Sequence, residues 1–445
     1  MIIRLNPLLI AAVLCAGMVS AAAQSTPYRL TMSDAIHRGL KANLGVLVAE
    51  TRTQESAAAS ERKKSLLLPR VHIETPVAVQ SESLAAMGIS IPGLPLPQVV
   101  GPFSTYGARA FADQPIVDLQ LLHSLRSARL STAAARSDYQ DARDLVIRNV
   151  AALYLSSQAQ FAEVVAAQSR VDTAEALSKL ATDQRDAGVA TGIDVLRAQV
   201  QAANERQSLV QARNRAKSSL LVLARTIGIA PGTEIELAGQ LEFRKADSIS
   251  VQNVLVQALA ARPDYQALLR QHEALSEQLR ASHARFLPKL TASGNYGGIG
   301  RTIASLRATE TAQVSLTFTV FDRDRNGEAL EIEAQLRRNE RQTVDAKQGV
   351  EQELLQAKLD LDSASEEVSV AEAGLELAHR ELELAQLRFS QGVTNNIEVI
   401  SAQDALSRAQ ENSIVALTHH ADARIELARA LGNTEATYAE ALDVR

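Results

Sequence analysis

The sequence of 445 residues is poor in the residues that build catalytic, metal and disulfide sites. It has one cysteine, Cys15, no tryptophan, and only 3% aromatic residues. Cys15 lies in an N-terminal apolar stretch, so the chain after it has no thiol, disulfide or cysteine metal site. The histidines are scattered, and the adjacent pair His419-His420 would point about 100° apart on a helix. With no Ser-His-Asp order, phosphate loop or HExxH motif, we predict no catalytic site, metal or cofactor.

Charge and hydropathy exclude two further classes of protein. The formal net charge is −5, from 46 basic and 51 acidic residues, and no basic patch suggests nucleic acid as a partner. After the N-terminus no stretch approaches about 18 consecutive apolar residues, which a helical membrane span would need. If the mature chain enters a membrane, we expect it to do so with strands.

The N-terminus is typical of a secretory signal peptide. Arg4 precedes an apolar run from Leu8 to Val19, and three alanines stand before Gln24 as a small-residue cleavage site. The alternative is a single membrane anchor, but this run is shorter than the about 20 residues of a span. We therefore predict that residues 1–23 are removed and that the protein is exported.

The second half of the chain repeats the first. With an offset of 204 residues, two sets of positions carry the same amino acids: Gly188, Val189, Ile193, Ala198 and Gln199, and Gly392, Val393, Ile397, Ala402 and Gln403. Near the start of each copy the offset is 219, so the first copy has about 15 extra residues, which we place in an external loop at 87–102. We predict the following division: a first repeat at 24–229, a linker at 230–249, a second repeat at 250–432 and a tail at 433–445.

Each copy contains a very long helical hairpin. Between Pro115 and Gly188 there is no glycine or proline, and good helix formers predominate, so one helix could extend roughly 100 Å. The glycine-containing turns at 187–192 and 392–396 then lead into second uninterrupted helices. The predicted helices lie between Pro115 and Gly188 and at 193–227 in the first copy, and at 328–391 and 397–431 in the second, with single helices at about 33–67 and 251–286 before the strands.

Two short alternating segments precede each hairpin. The predicted strands are about 70–80, 104–117, 288–297 and 312–321. Each has one apolar and one polar face, as the wall of a membrane barrel requires. A soluble hairpin has the same alternation, but the chain offers no sheet to receive these strands, and its aromatic residues cluster around them. Four strands leave open edges, so we expect several chains to close one barrel: two chains would supply eight strands and three would supply twelve.

This order of elements resembles the TolC family of outer membrane efflux proteins. The matching boundary signatures are Leu67-Leu68-Pro69, Phe286-Leu287-Pro288-Lys289, Gln114-Pro115-Ile116-Val117-Asp118 and Thr319-Val320-Phe321-Asp322. The resemblance implies a mainly α fold with a β-barrel portion, in which a duplicated helix–strand–strand–helical hairpin repeat forms a homotrimer. Its twelve-stranded barrel would lie in the outer membrane of a Gram-negative-type bacterium, in contact with outer membrane lipid, and a long helical barrel would continue it through the periplasm.

The resemblance also implies partners and function. The protein would be the passive outer membrane channel of a tripartite efflux system, joined to a periplasmic membrane fusion (adaptor) protein and an inner membrane pump of RND, MFS or ABC type. Small molecules would be its cargo. The exit duct of a type I protein secretion system remains open as an alternative. A soluble periplasmic coiled-coil adaptor or structural protein is the alternative of a different class, although it leaves the two-faced strands without a use.

The tip of the hairpins is where the resemblance places adaptor docking. The turns carry Gly188 and Val189 in the first copy and Gly392 and Val393 in the second. In the family these turns form the periplasmic end of the helical barrel. We therefore expect the constriction of the channel beside them.

Five residues near the turns match gate or pore positions of the family. Asp194 takes the position of an acidic residue in the network that closes the tip, and Glu398 that of a pore-facing Asp. Phe389, Thr394 and Ser401 stand where the family can have a Tyr, an Arg and an Asp. By position alone, both carboxylates lie in the first turn of a helix, where capping is favourable and can coexist with a pore role. We expect three copies of Asp194 and Glu398 to line a cation-attracting mouth.

Overall fold

The computed structural model describes residues 28–84, 86–88, 97–239, 242–243, 251–432 and 434–435. The predicted signal peptide, most of the predicted tail and parts of the linker and of the 87–102 loop lie outside these residues. The helices are α1 (Met32–Ala42), α2 (Leu44–Ser65), α3 (Leu119–Asp186), α4 (Gly192–Thr226), α5 (Val251–Ala261), α6 (Pro263–His283), α7 (Arg323–Ser390) and α8 (Asn396–Ala430). The strands are β1 (Tyr28–Leu30), β2 (Arg70–Glu74), β3 (Val77–Ser83), β4 (Val99–Val117), β5 (Ile235–Leu237), β6 (Lys289–Gly300) and β7 (Arg307–Thr317).

The two predicted hairpins are present as α3–α4 and α7–α8. Asp118 and Asp322 are the N-cap residues of the long helices α3 and α7, and each carboxylate accepts a backbone N–H of the first turn. Each cap also faces a cation: Lys289 Nζ, at the start of β6, lies 3.7 Å from Asp118, and Arg285 Nη2, four residues earlier in the chain, lies 2.7 Å from Asp322. The long helices therefore begin at an Asp that satisfies their free N–H groups and is held by a neighbouring positive charge.

The two shorter helical segments differ from the prediction, because each is divided in two. Asn43 ends α1 and its side chain caps α2, accepting the Gly45 N–H at 2.8 Å. In the second copy Pro263 starts α6 at a position where its missing N–H costs nothing, and Arg262 before it has an extended backbone. The prediction of single helices at 33–67 and 251–286 was therefore wrong at these two breaks.

Five of the strands form one antiparallel sheet, in which β4 pairs with β2, β3 and β6, and β6 pairs with β7. The predicted first strand is two strands, because Pro76 has no N–H to donate where β2 ends and β3 begins. The predicted fourth strand is displaced toward the N-terminus: its last pair is Lys289 with Thr317, and beyond it β6 offers no partner. Residues 318–321 are consequently outside the sheet. Residues 99–102 of the predicted loop belong to β4.

The linker contains a strand that the sequence did not reveal. β5 pairs in parallel with β1, and the Tyr154 hydroxyl of α3 donates to the carbonyl of Leu30 at 3.0 Å and to that of Ala238 at 2.5 Å. Three residues are too few for an alternating pattern to be recognised. The pair of strands closes a core made by α1, α2, α3 and the end of α4.

Helix packing distinguishes the two hairpins. α3 packs along α4, α2, α6 and α8, whereas α7 packs mainly along α8 and α6. α4 lies along α3 and touches α8 only over a short part of its length. Within the two hairpins, α4 and α7 are therefore the helices with most free surface. No helix in the described part of the chain combines the length and apolar character that crossing a membrane requires.

Candidate functional site: the sheet and the hairpin tips

One face of the sheet formed by β2, β3, β4, β6 and β7 is apolar and exposed. Its large members, each between 62% and 74% exposed, are Val71, Ile73, Val77, Val79, Tyr296, Val314 and Leu316. Small residues lie between them, such as Ala110, which pairs with both Ile73 and Tyr296. Glu310, opposite Tyr296, is the charged exception. A continuous apolar face of this kind indicates contact with lipid or with another chain.

The opposite face of the same sheet is polar and internally hydrogen-bonded. Arg109 of β4 donates from Nε to Asn295 Oδ1 of β6 at 3.2 Å and from Nη1 to Thr309 Oγ1 of β7 at 2.6 Å. His72 stacks on Phe111 with ring centroids 5.1 Å apart. This face therefore has the polar character of a surface that meets water, and the sheet separates two environments.

Both edges of this sheet are unpaired within the described residues. The outer edges belong to β7 on one side and to β2 and β3 on the other. An unpaired edge leaves backbone N–H and C=O groups without partners, which water can satisfy and lipid cannot. The sheet thus needs further strands if its apolar face lies in a membrane.

The first hairpin tip is held by backbone bonds and a cap. Gly188 has φ +76°, and the Val189 N–H donates to the Gln184 carbonyl at 2.8 Å. The Thr191 N–H and hydroxyl both donate to Asp194 Oδ2, at 3.1 and 2.5 Å. Asp194 therefore caps α4, as its position in the sequence suggested, and its Oδ1 lies 3.9 Å from Arg197.

The second tip repeats this backbone geometry. Gly392 has φ +72°, and the Val393 N–H donates to the Arg388 carbonyl at 3.0 Å. Asn395 replaces Thr191 as the N-cap residue and accepts the Ile397 N–H at 3.1 Å. The two turns lie side by side, because a side chain at Gly392 would come within 3.9 Å of Val189. Val189 and Val393 are 67% and 64% exposed.

Glu398 is held differently from Asp194. Its Oε2 accepts the Thr394 hydroxyl at 2.5 Å, and its Oε1 lies 3.1 Å from Arg388 Nε. Thr394 thus contacts the predicted pore carboxylate directly, and Arg388 supplies a positive charge beside it. Ser401 is exposed on α8, about one turn further from the tip.

The predicted gate residue Phe389 does not lie on an open surface in this chain. It is 3% exposed and packs in an apolar cluster with Leu177 of α3, Val195 of α4 and Val399 of α8. Its ring therefore joins the two hairpins just above the turns. The structure brings Thr394 and Glu398 together, whereas Asp194 and Phe389 serve capping and packing.

Two polar bridges between the hairpins were not predicted. Asn396 is fully buried, and its Nδ2 donates to the Asp194 carbonyl at 2.7 Å. Gln184 Nε2 donates to the Phe389 carbonyl at 3.2 Å. The repeat offset contained a signal for Asn396, because Gly192 occupies the same position in the first copy, so only the second copy can supply this amide.

The histidine pair is divided between two surroundings. His420 is 1% exposed and lies against Phe243 with ring centroids 4.7 Å apart, and burial together with nearby Arg424 lowers its pKa. His419 Nδ1 lies 3.4 Å from Glu367 on the solvent side. Among the described residues no cluster of His, Cys, Asp and Glu is arranged to hold a metal ion.

The main electrostatic perturbation lies far from the tips, on α3. Asp144 is 5% exposed, and its burial, with Asp141 and Glu435 nearby, raises its pKa to about 7 against the opposing effect of Arg429 and Arg143. Asp141 has a raised pKa for the same first reason, burial. Burial thus favours the protonated form of the Asp144 side chain, which lies in the helical part and has no contact with the tips.

Comparison with known proteins agrees with this geometry. The family model described as outer membrane efflux protein matches residues 35–229 and 254–433. The chain is 24% identical to the pyoverdine export outer membrane protein OpmQ of Pseudomonas putida over 69% of this chain and 67% of that protein. It is likewise 24% identical to the outer membrane protein OprJ of Pseudomonas aeruginosa, over 69% of this chain and 65% of that protein. The chain thus spans about two thirds of these relatives.

A solved structure shares the architecture. The outer membrane channel OprN superposes with a TM-score of 0.75 at 19% identity, covering 90% of both chains. The mainly α fold with a strand region, predicted above, is therefore that of the outer membrane channels.

Proposed function

The chain belongs to the outer membrane efflux protein family, and we propose that three copies of it form one passive conduit from the periplasm to the exterior. Its place is the outer membrane, as the outer component of a tripartite efflux system. The conduit performs no reaction of its own, so the energy for transport comes from the pump.

The sheet is the observation that carries this proposal. Its apolar face is exposed, its polar face is internally bonded, and both edges are open. Counting β2 and β3 as one strand, each chain contributes four, so three chains supply twelve and remove every edge. A barrel of twelve strands leaves room for a passage, whereas a barrel of eight is filled by its own side chains.

The hairpin tips support a docking role. Val189 and Val393 stand exposed at the far end of the two long hairpins, and the neighbouring Gly188 and Gly392 keep the turns tight. Exposed apolar residues at the end of a rod favour contact with another protein. We propose that these turns meet a periplasmic adaptor, which connects the channel to an inner membrane pump of RND, MFS or ABC type.

We propose further that the mouth of the conduit lies beside the tips. Three copies of Asp194 and Glu398 would add negative charge there, with Thr394 and Arg388 setting the position of Glu398 and Ser401 lying one turn above. Phe389 would act by fixing one hairpin against the other. Neutralising both carboxylates, as Asp194→Asn with Glu398→Gln, should change single-channel conductance and reduce cation preference. Unchanged values would contradict the charged mouth and leave the conduit intact.

Small molecules are the proposed cargo. The observation that favours this cargo is that the relative OpmQ is named for the export of pyoverdine. Deleting the gene together with that of its pump should raise the retention of the pump's own substrate. Loss of a secreted protein with normal efflux would instead favour the type I secretion role.

The lipid-facing role of the sheet can be tested with a matched pair of variants. Ile73→Arg places a charge on the apolar face and should cost about 2–4 kcal/mol in the membrane, which lowers the amount of assembled protein in the outer membrane. Thr311→Arg places the same side chain on the polar face of β7 and should be tolerated. Equal loss for both variants, or for neither, would contradict the assignment of the faces.

A further inference from the structure

One cation on the polar face of the sheet belongs to a row of residues that crosses three strands. Arg109 of β4, Gly297 of β6 and Thr309 of β7 are successive partners in the strand register. An added Cβ at Gly297 would lie 2.9 Å from Arg109 Cγ and closer still to the backbone of β4. The glycine therefore leaves the space in which the Arg109 side chain crosses β6 and reaches Thr309.

Two neutral acceptors hold the Arg109 guanidinium in place. Its Nε and Nη2 donate to Asn295 Oδ1 of β6, the Nε bond at 3.2 Å, and its Nη1 donates to Thr309 Oγ1 at 2.6 Å. Of the five N–H groups of a guanidinium, these bonds leave one on each Nη without a partner among the described residues. Because both remaining donors belong to one fixed planar group, they can bind oxygens of a single anion.

The acids nearest to Arg109 in the sheet are directed to other cations. Glu74 is the partner of Arg109 on β2, but its carboxylate lies 3.4 Å from His72 Nε2, on the side of β4 away from β6 and β7. Asp113, further along β4, is opposite Arg70 in the strand register. Within the described residues no carboxylate makes an ion pair with Arg109, so its positive charge is not compensated by the chain.

The strands on which the guanidinium lies add positive charge to the same face. β6 and β7 contain a single acid, Glu310, which lies on the apolar face opposite Tyr296. Arg307 precedes Thr309 by two residues on β7 and therefore lies on the polar face, about 7 Å along the strand. Arg307 is exposed and makes no ion pair or hydrogen bond in the described part of the chain. This part of the polar face thus has two uncompensated cations.

We propose that Arg109, with Arg307 beside it, binds the oxyanion group, a carboxylate or a phosphate, of small anionic molecules that pass through the barrel. Arg109 contacts the anion, whereas Asn295, Thr309 and Gly297 are positioning residues that fix its guanidinium and leave room for it. The site rests on the proposed conduit, because the polar face becomes the wall of a lumen only in a closed barrel. Three copies form a ring of positive charge in the barrel, opposite in sign to the carboxylates proposed for the mouth beside the tips.

Single-channel recording of the full mature protein in a planar lipid bilayer tests the site. Succinate and inorganic phosphate, added in turn, should each block the wild-type current briefly, and succinamide, the uncharged diamide of succinate, should not. Arg109→Gln should shorten the blocks roughly tenfold to a hundredfold, because the charge-assisted hydrogen bonds to the anion are lost. Longer blocks by succinate than by phosphate would assign the site to carboxylates, and the reverse would assign it to phosphates.

Two further variants separate the charge of Arg109 from its geometry. Arg109→Lys keeps the positive charge but not the planar pair of donors, and should give blocks of intermediate length. Thr309→Val removes one acceptor that fixes the guanidinium, and should shorten the blocks by roughly threefold. Equal conductance of each variant and the wild type without added anion shows that the barrel is intact.

A matched control lies next to Thr309 on the same strand. Glu310→Gln also removes one charge, but on the apolar face, and it should leave the blocks unchanged. Channels that succinate and phosphate do not block, blocks of equal length in the wild type and Arg109→Gln, or equal blocks by succinate and succinamide would overturn the anion site while the conduit stands. A wild-type protein that opens no channel in the bilayer would overturn the conduit and the site with it.

Discussion

The two long helices α3 and α7 have the same length and very different surroundings. Each has 68 residues and is followed by a helix of 35 residues, so the duplication has kept the dimensions of the hairpins. At the repeat offset, however, buried Tyr154 of α3 corresponds to Lys358 of α7, which makes a surface ion pair with Asp362. Ile147, 1% exposed, corresponds to exposed Glu351.

The difference shows which features the repeat requires and which it leaves free. The N-cap Asp, the buried seam and the left-handed glycine at the tip are present in both copies, because every long hairpin needs them. The outer surfaces have diverged. α3 is covered by other helices of its own chain and is apolar there, whereas α7 keeps an exposed acidic surface.

The largest expected effect on stability is at Tyr154, the buried residue of α3 in this comparison. Tyr154→Ala should destabilise the protein by about 3–5 kcal/mol, because it leaves a cavity and removes the donor to two carbonyls. Lys358→Ala, at the same repeat position, should cost less than about 1 kcal/mol, since a surface ion pair contributes little. Denaturant unfolding of both variants checks this. Similar losses would mean that α7 is as deeply covered as α3.

A second difference depends on pH. The folded pKa of Asp144 is raised to about 7 by burial, so the folded state retains a proton that the unfolded state loses above about pH 4. Stability should therefore fall by about 1 kcal/mol per pH unit between pH 4 and 7 and stay level above that range. Asp144→Asn should remove this part of the slope and stabilise the protein at neutral pH.

The control for the pH effect is an exposed acid of α7. Asp345→Asn should leave the pH dependence of unfolding unchanged, because Asp345 is exposed. If Asp144→Asn keeps the full slope, the buried carboxyl is not its source.

At the hairpin tips the two copies have the same backbone geometry, so equivalent substitutions should cause equal losses of stability. Gly188→Ala and Gly392→Ala meet open space or an ordinary contact, so only the left-handed backbone opposes them, at about 1–2 kcal/mol each. Thermal unfolding should show matching losses. A much larger loss at one tip would mean that the added methyl group disturbs contacts of that turn with other parts of the protein.

The smallest expected effect concerns glycines that only α7 has in its interior. Gly349 and Gly374 have no atom within 4 Å of an added Cβ, and Leu145 and Arg170 stand at the same positions in α3. Gly349→Ala should therefore stabilise the protein by about 1 kcal/mol through helix propensity alone, measured as a higher unfolding midpoint. A loss of stability would contradict the open surroundings of this position.

The sequence was sufficient for the features that repeat and that depend on local chemistry. The hairpins and their turns followed from helix propensity and glycine, and the alternating pattern located the sheet. The start of the second long helix at Asp322 was not predicted, since the prediction placed it at 328. It was insufficient for features decided by distant partners. The end of β7 depends on where β6 starts, and β5 exists because β1 lies beside it.

The candidate site was predictable only in part for the same reason. The position of Asp194 at a helix start predicted its capping role. The contact of Arg388 with Glu398 crosses a turn, and the bond of Asn396 to the Asp194 carbonyl crosses between hairpins, so neither could be predicted from the spacing within one copy. The burial of Phe389 likewise depends on helices from both copies.

The central claim is that one chain is an incomplete conduit that three copies close. The most direct test is the native mass of the mature protein extracted from outer membranes in mild detergent, measured by light scattering with bound detergent subtracted. The account predicts three chains per particle. A single chain per particle, or recovery of the protein without detergent, would contradict it.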